Sequence, residues 1–286
     1  MSVADSKRLP SWLKKSVLSG EGVHSLKTGL RKYGLCTVCE EARCPNIGEC
    51  FKRGTATMMI MGRVCTRSCG FCNVSSGVPD PVEADEPARV ALQIREMGLS
   101  HAVITSVTRD DLIDGGASHF AETIRAIRRL NPETTIEVLT PDFNCNVWDI
   151  ETVCAAMPNI FNHNLETVER LTPYIRSRAQ YHRSLEVLRI AKKALPSGLI
   201  KSGLMAGLGE TPEEISVTLS EMKNAGCDIV TIGQYLMPSK DALPVAEYVY
   251  PETFREYEKL GLKLGFKYVF CGPFVRSSYM ADKVLL

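Results

Sequence analysis

From residue 57 to residue 265 the chain alternates short apolar runs with stretches whose apolar residues recur at helical spacing. That alternation restricts it to repeated strand-helix units on a parallel sheet. The predicted strands are 57–64, 101–107, 135–139, 159–163, 199–206 and 228–234. The helices between them are readable from start and stop signals. Thr211-Pro212-Glu213-Glu214 is a capping box with proline at the first helical position, Ile215, Leu219 and Met222 then share one face, and Gly226 ends the segment. Val90, Ile94 and Met97 follow Pro87 and stop at Gly98; Phe120, Ile124 and Ile127, then Leu185, Leu188 and Ala191, and finally Phe254, Tyr257 and Leu264 after Pro251, make further core-facing stripes. Six parallel units fall short of the eight that close a barrel. The predicted fold is therefore α/β, a partial, TIM-like (β/α)6 barrel over 57–265 with one side open. Residues 1–56 form an amino-terminal extension and 266–286 a carboxyl-terminal segment. Ligands belong at the carboxyl ends of such strands.

At 286 residues the chain is long enough to bury a sizeable core. Its 34 basic and 33 acidic residues nearly cancel, so charge balance points to neither nucleic acid nor a membrane surface as partner. No apolar run approaches the length that spans a bilayer. The expectation is a soluble, cytoplasmic protein. Residues 1–34 carry seven basic residues against Asp5 and Glu21, a pattern shared by transit peptides and by arms that lie on a protein surface. Leu9-Pro10-Ser11-Trp12-Leu13-Lys14 sets an aromatic among those charges and favours the arm.

Seven of the eleven cysteines crowd into one third of the chain: Cys36, Cys39, Cys44, Cys50, Cys65, Cys69 and Cys72. Without a secretory signal, this reads as metal binding in a reducing compartment, and the scattered Cys145, Cys154, Cys227 and Cys271 read as small buried hydrophobes. Cys65-Thr66-Arg67-Ser68-Cys69-Gly70-Phe71-Cys72 ends the first apolar run. Three thiolates on a four-iron, four-sulfur cube leave one iron open to another ligand. A structural zinc ion wants four ligands, and three cysteines cannot all pair with one another. Upstream, Cys39, Cys44 and Cys50 are spaced five and then six positions apart. They suit a second cube short of one ligand, or, with Cys36, a four-cysteine zinc site. Spacing leaves both open, and with them a zinc-stabilised binding module as a function from a different class.

The spacing of Cys65, Cys69 and Cys72, with an aromatic before the last, resembles the signature of radical S-adenosylmethionine (SAM) enzymes. The stretch from Val38 to Cys50 resembles the auxiliary-cluster motif of the lipoyl synthase family. So do Asn162 to Thr167, Gly203 to Thr211, and the terminal Gly272-Pro273-Phe274-Val275-Arg276-Ser277-Ser278-Tyr279. The resemblance covers nearly the whole chain. It implies two 4Fe-4S clusters, one on Cys65, Cys69 and Cys72 that binds SAM, and an auxiliary one on Cys39, Cys44, Cys50 and Ser278. It implies SAM contacts from Phe71, Gly115, Gly116, Asn164 and Glu166. It also implies a sulfurtransferase that makes lipoyl-lysine by placing two sulfur atoms, drawn from the auxiliary cluster, at C6 and C8 of a protein-bound octanoyl-lysine. Implied partners are octanoylated carrier domains (2-oxoacid dehydrogenase E2, glycine cleavage H protein), a reductant such as ferredoxin or flavodoxin, and an iron-sulfur carrier protein. A radical SAM methylthiotransferase is the alternative with the same pairing of clusters. Three places depart from the family pattern: Cys36 stands where a histidine or other polar residue is more usual, Lys240-Asp241-Ala242 replaces a stretch that often carries adjacent histidines, and Thr108 takes the place of an aspartate before Arg109-Asp110-Asp111.

Overall fold

A computed structural model describes residues 9–14, 35–41, 44, 46–52, 55–176, 178–279 and 284. Most of the amino-terminal basic stretch lies outside the described residues, as does the side chain of Cys36. Within that stretch, Leu13 is buried and the Trp12 ring packs 4.8 Å from that of Tyr250, so residues 9–14 lie on the body.

The elements follow the chain as β1 (Cys36–Thr37), α1 (Val38–Glu41), α2 (Ile47–Lys52), β2 (Thr55–Ile60), β3 (Val64–Cys65), β4 (Ser75–Ser76), α3 (Glu86–Met97), β5 (His101–Ser106), α4 (Ala117–Leu130), β6 (Thr135–Leu139), α5 (Val147–Ala155), β7 (Ile160–Asn162), α6 (Thr172–Ile175), α7 (Tyr181–Ala194), β8 (Leu199–Ala206), α8 (Pro212–Asn224), β9 (Ile229–Gln234), α9 (Pro251–Lys263) and β10 (Tyr268–Gly272). The main sheet runs β1-β2-β5-β6-β7-β8-β9-β10. Only β1 is antiparallel to its neighbour; every other pairing is parallel. Its two edges stay apart, giving the expected open, partial barrel.

All six predicted strands are present, with two differences. The first ends at Ile60 rather than at residue 64. Met61 and Gly62 follow with φ of 64° and 91°, turning the chain out of the sheet. Val64–Cys65 then pairs separately with Ser75–Ser76, inside the loop that carries the cysteines. Beyond the six units, Tyr268–Gly272 adds a further parallel strand beside β9. The capping box at Thr211 has both of its hydrogen bonds, Glu214 N to Thr211 Oγ1 and Thr211 N to the Glu214 carboxyl.

Register separates the two faces of the sheet, because neighbouring residues on parallel strands point the same way. Met58, Ile104, Val138, Phe161, Ile200 and Ile232 face outward and share one core with Ile94, Phe120, Leu188, Leu219 and Phe254 of the helices. The inward face is polar at mid-height. Lys201 sets its ammonium 2.9 Å from both Glu137 oxygens, and Asn162 Nδ2 donates to Glu137 at 3.0 Å. Burial opposes charge on Glu137, but Lys201 and His101 outweigh it and hold the carboxyl below its usual range. Below this layer Val284 plugs the interior against Ile160 and Ile229. Above it, beyond the carboxyl end of β2, begins the loop that carries Cys65, Cys69 and Cys72.

Candidate metal and SAM site

The loop bearing Cys65, Cys69 and Cys72 leaves the end of the first long strand and is fastened to four other strand-to-helix loops. Arg67 does most of this. Its guanidinium, 7% exposed, donates to both oxygens of Asp110 (2.7 and 2.8 Å) and of Asp142 (2.8 and 3.0 Å). These carboxylates follow β5 and β6, so one side chain ties three loops together. Burial disfavours the charge on Asp142, yet hydrogen bonds and attraction from Arg67 bring its pKa down to about 2. Thr66 N donates to Thr108 O at 3.0 Å, which uses the backbone of the position that departs from the family. Gly70 N donates to Ile175 O at 3.0 Å and Gly70 O accepts from Leu243 N at 2.8 Å. A Cβ on Gly70 would stand 2.8 Å from the Leu243 side chain, so that position has no room for one.

The three thiols lie within electrostatic reach of one another and of Glu166. Burial pushes Cys69 up to about 11 against the pull of Arg176, with Cys72, Glu166 and Cys65 adding to the rise. Cys72 is raised by burial and by Cys65 and Glu166. Backbone N–H groups point at the sulfurs: Arg67 N and Thr108 N lie 3.4 and 3.3 Å from Cys65 Sγ, and Val74 N 3.5 Å from Cys72 Sγ. Such donors stabilise thiolate charge, as cluster-bound sulfur requires. Among the described residues no group of three or more His, Cys, Asp or Glu converges on a single metal ion.

Asn164 and Glu166 stand beside the thiols at the end of β7. Asn164 Nδ2 donates to Glu166 Oε1 at 3.0 Å, while the buried Asn164 Oδ1 has no hydrogen-bond donor. Glu166 holds φ of 67°, and burial raises its carboxyl pKa against the opposing charge of Arg176. Arg176 donates to the carbonyls of Asn164 and Leu165 at 3.1 and 3.0 Å. An unpaired acceptor next to a carboxylate suits an ammonium group. Phe71 is half-buried in the cysteine loop. Gly115 and Gly116 sit a strand away. Both have positive φ, and a Cβ would strike Phe143 at the first and Met61 at the second. The structure thus gives these two glycines a packing reason.

The upstream triplet is adjacent. Val38, next to Cys39, packs with Cys65 against Met59 and Val107. Burial and Cys44 push the Cys39 thiol up to about 11, opposed by hydrogen bonds from Thr57. Cys44 N donates to Cys39 O at 3.0 Å, and Cys50 lies on α2. The carboxyl-terminal segment folds onto this triplet. Asn46 Nδ2 donates to Phe274 O at 2.6 Å, Tyr279 Oη donates to Glu49 Oε1 at 2.9 Å, and the Arg276 charge is felt at Cys44. Ser278 lies in the turn closed by Tyr279 N to Arg276 O at 2.9 Å. Sequence reasoning missed Arg67, Asp142 and Arg176. The first was visible as a cation between the cysteines, but its partners lie 43 and 75 residues away.

Comparison with known proteins agrees with this arrangement. The family model of the Radical SAM superfamily matches residues 59–222, and that of the N-terminal domain of lipoyl synthase matches residues 2–44. The lipoyl synthase of Rubrobacter xylanophilus is 57% identical, covering 96% of this chain and 85% of its own. That of Caldanaerobacter subterraneus subsp. tengcongensis is 54% identical, covering 96% of each. Among solved structures, methylornithine synthase superposes with a TM-score of 0.57 at 14% identity, covering 94% of this chain and 89% of that one. The hydrogenase maturase HydG gives 0.58 at 12%, covering 92% and 75%. At such identities these two share the fold alone.

Proposed function

Because the chain belongs to the lipoyl synthase family of the radical SAM superfamily, we propose that it inserts two sulfur atoms at C6 and C8 of an octanoyl group amide-linked to a lysine of a lipoyl carrier domain. Cys65, Cys69 and Cys72 would hold the SAM-binding 4Fe-4S cluster, and Cys39, Cys44, Cys50 and Ser278 the auxiliary one. When bound, these groups supply a 5'-deoxyadenosyl radical from SAM and the sulfur to be transferred, respectively. The protein's part is binding and placement. Asn164 Oδ1 and the Glu166 carboxyl would accept hydrogen bonds from SAM, Phe71 would contact it through the backbone, and Gly115 and Gly116 would approach its amino group. Arg67 holds the cysteine loop at one height relative to the strands. Arg176 offsets the negative charge that collects beside Cys69 and Glu166.

The observation that supports this reading is that the two cysteine segments meet, Val38 and Cys65 packing against Met59 and Val107, while the segment bearing Ser278 is tied to Asn46 and Glu49 of the upstream one. The carrier domains meant are those of 2-oxoacid dehydrogenase E2 and glycine cleavage H protein. The reductant would be a small redox protein such as ferredoxin or flavodoxin, and an iron-sulfur carrier protein is the further partner. The ten cysteines whose side chains are described are free thiols, in keeping with a reducing cytoplasm. None of the described helices is long and apolar enough to cross a membrane. The test is anaerobic turnover of octanoylated carrier protein with SAM and reductant, read by mass spectrometry. Conversion of octanoyl-lysine to lipoyl-lysine is expected; methylthiolation, or SAM cleavage that leaves the octanoyl group intact, defeats the proposal.

A further inference from the structure

Two ends of the chain meet at the upstream cysteines, and the contacts there are unusually well placed. Helix α2 carries both Glu49 and Cys50. The turn at the other end carries both Ser278 and Tyr279. The Tyr279 hydroxyl donates to Glu49 across 230 residues, so a hydrogen bond joins the neighbours of Cys50 and Ser278. On the other side of the same turn, Asn46 Nδ2 holds Phe274 O. Between these anchors Val275 packs its carbonyl over Gly233, where any Cβ would collide with it. Ser278 therefore sits in a segment pinned on both sides to the helix that presents Cys50.

We propose that Tyr279 and Glu49 form a latch that seats the Ser278 turn against the Cys39, Cys44 and Cys50 triplet and sets how readily that turn lifts away. The inference rests on the functional reading above, in which Ser278 completes an auxiliary cluster. A hydroxyl oxygen is a hard, poorly matched ligand for iron compared with thiolate. The iron–serine contact then depends on what holds the serine in place, and Tyr279 and Asn46 do that from the protein side. Both latch residues are positioning residues, since neither is assigned to iron or to substrate. Opening the latch frees the side of the cluster that faces the carboxyl-terminal segment and leaves the Cys65, Cys69 and Cys72 site untouched, because Arg67, Gly70 and Leu243 fasten that loop independently.

The test is the anaerobic rate at which a ferrous chelator, bathophenanthroline, extracts iron from the reconstituted full chain. Total iron and sulfide are counted first. A Cys65→Ala/Cys69→Ala/Cys72→Ala variant identifies the phase that belongs to the upstream triplet. In Tyr279→Phe, which keeps the ring and loses the hydroxyl, that phase is expected to quicken about tenfold, the factor a hydrogen bond of ~1.4 kcal/mol carries. The other phase should keep its wild-type rate. Glu49→Leu should quicken the same phase, and the Glu49→Leu/Tyr279→Phe double variant should fall short of the product of the two single effects, since both remove the bond between them. Wild-type release rates in both single variants, or equal acceleration of both phases, would overturn the latch alone. A wild-type chain that holds only one cube would overturn the latch together with the reading beneath it.

Discussion

Arg67→Ala tests the idea that one buried guanidinium sets the height of the cysteine loop. The variant loses four hydrogen bonds of 2.7–3.0 Å to Asp110 and Asp142. The two carboxylates do not suffer equally. Asp110 has a side chain 26% exposed and can be rehydrated, whereas Asp142 is 1% exposed. Its remaining neighbours are Asn144 N at 3.2 Å and Arg183 at 3.6 Å. Breaking a buried pair costs about 3–5 kcal/mol, and because Arg183 stays near, we expect ~3 kcal/mol. Melting should fall by roughly 5–10 °C. Linkage gives an independent signature. Asp142 titrates at about 2 in the fold against an ordinary 3.8, so its pairing contributes on the order of 2 kcal/mol above pH 4, lost as pH falls through about 2. Without Arg67 the largest opposition to burial is gone, leaving the Asn144 N–H and His163, and the carboxyl pKa rises. The deficit of the variant relative to wild type should therefore be largest near neutrality and should shrink on acidification below pH 4. Urea unfolding of both proteins between pH 3 and pH 7 measures this. A deficit under 1 kcal/mol, or one that ignores pH, would refute the argument.

Other outcomes follow from the same geometry. Alanine at Cys39, Cys44 or Cys50 should leave SAM cleavage intact and abolish thiolated product, with iron falling to about half, whereas alanine at Cys65, Cys69 or Cys72 should abolish 5'-deoxyadenosine formation itself; chromatography of the nucleoside products separates the two. Gly203→Ala places a Cβ 2.6 Å from Thr231 Oγ1 and 3.0 Å from Asn164 Oδ1, so SAM affinity by calorimetry should weaken about tenfold. Lys201→Met strands the fully buried Glu137 and should cost about 3–5 kcal/mol in urea unfolding, whereas Glu137→Leu/Lys201→Met should cost markedly less because no charge is left unpaired.

What was legible in the sequence was local chemistry. The helix at Thr211 announced itself because its cap, its proline and its apolar stripe lie within a dozen residues. The cysteine triplets were legible for the same reason, since iron chemistry constrains their spacing along one short loop. The helix Val147–Ala155 was missed although Asn146 caps it through Trp148 N at 3.1 Å, because nine residues give the period little room to repeat. Tyr268–Gly272 was missed because its residues are mostly half-buried at a sheet edge, which weakens any apolar pattern. Arg67 lay in full view, yet its role depends on Asp110 and Asp142, whose positions only the fold brings within 3 Å. Gly115 and Gly116 show the converse: family likeness marked them, and the structure adds the bulk of Met61 and Phe143 as a reason for glycine there.

The pairing of Asn46 with Phe274 also fixes a timetable. A ribosome adds about 5–20 residues per second, so the 228 residues between these partners keep the upstream cysteines waiting on the order of ten seconds or more for the segment that covers them. Throughout that interval the thiols of Cys39, Cys44 and Cys50 ride on a nascent chain with no lid, open to oxidant and to adventitious metal.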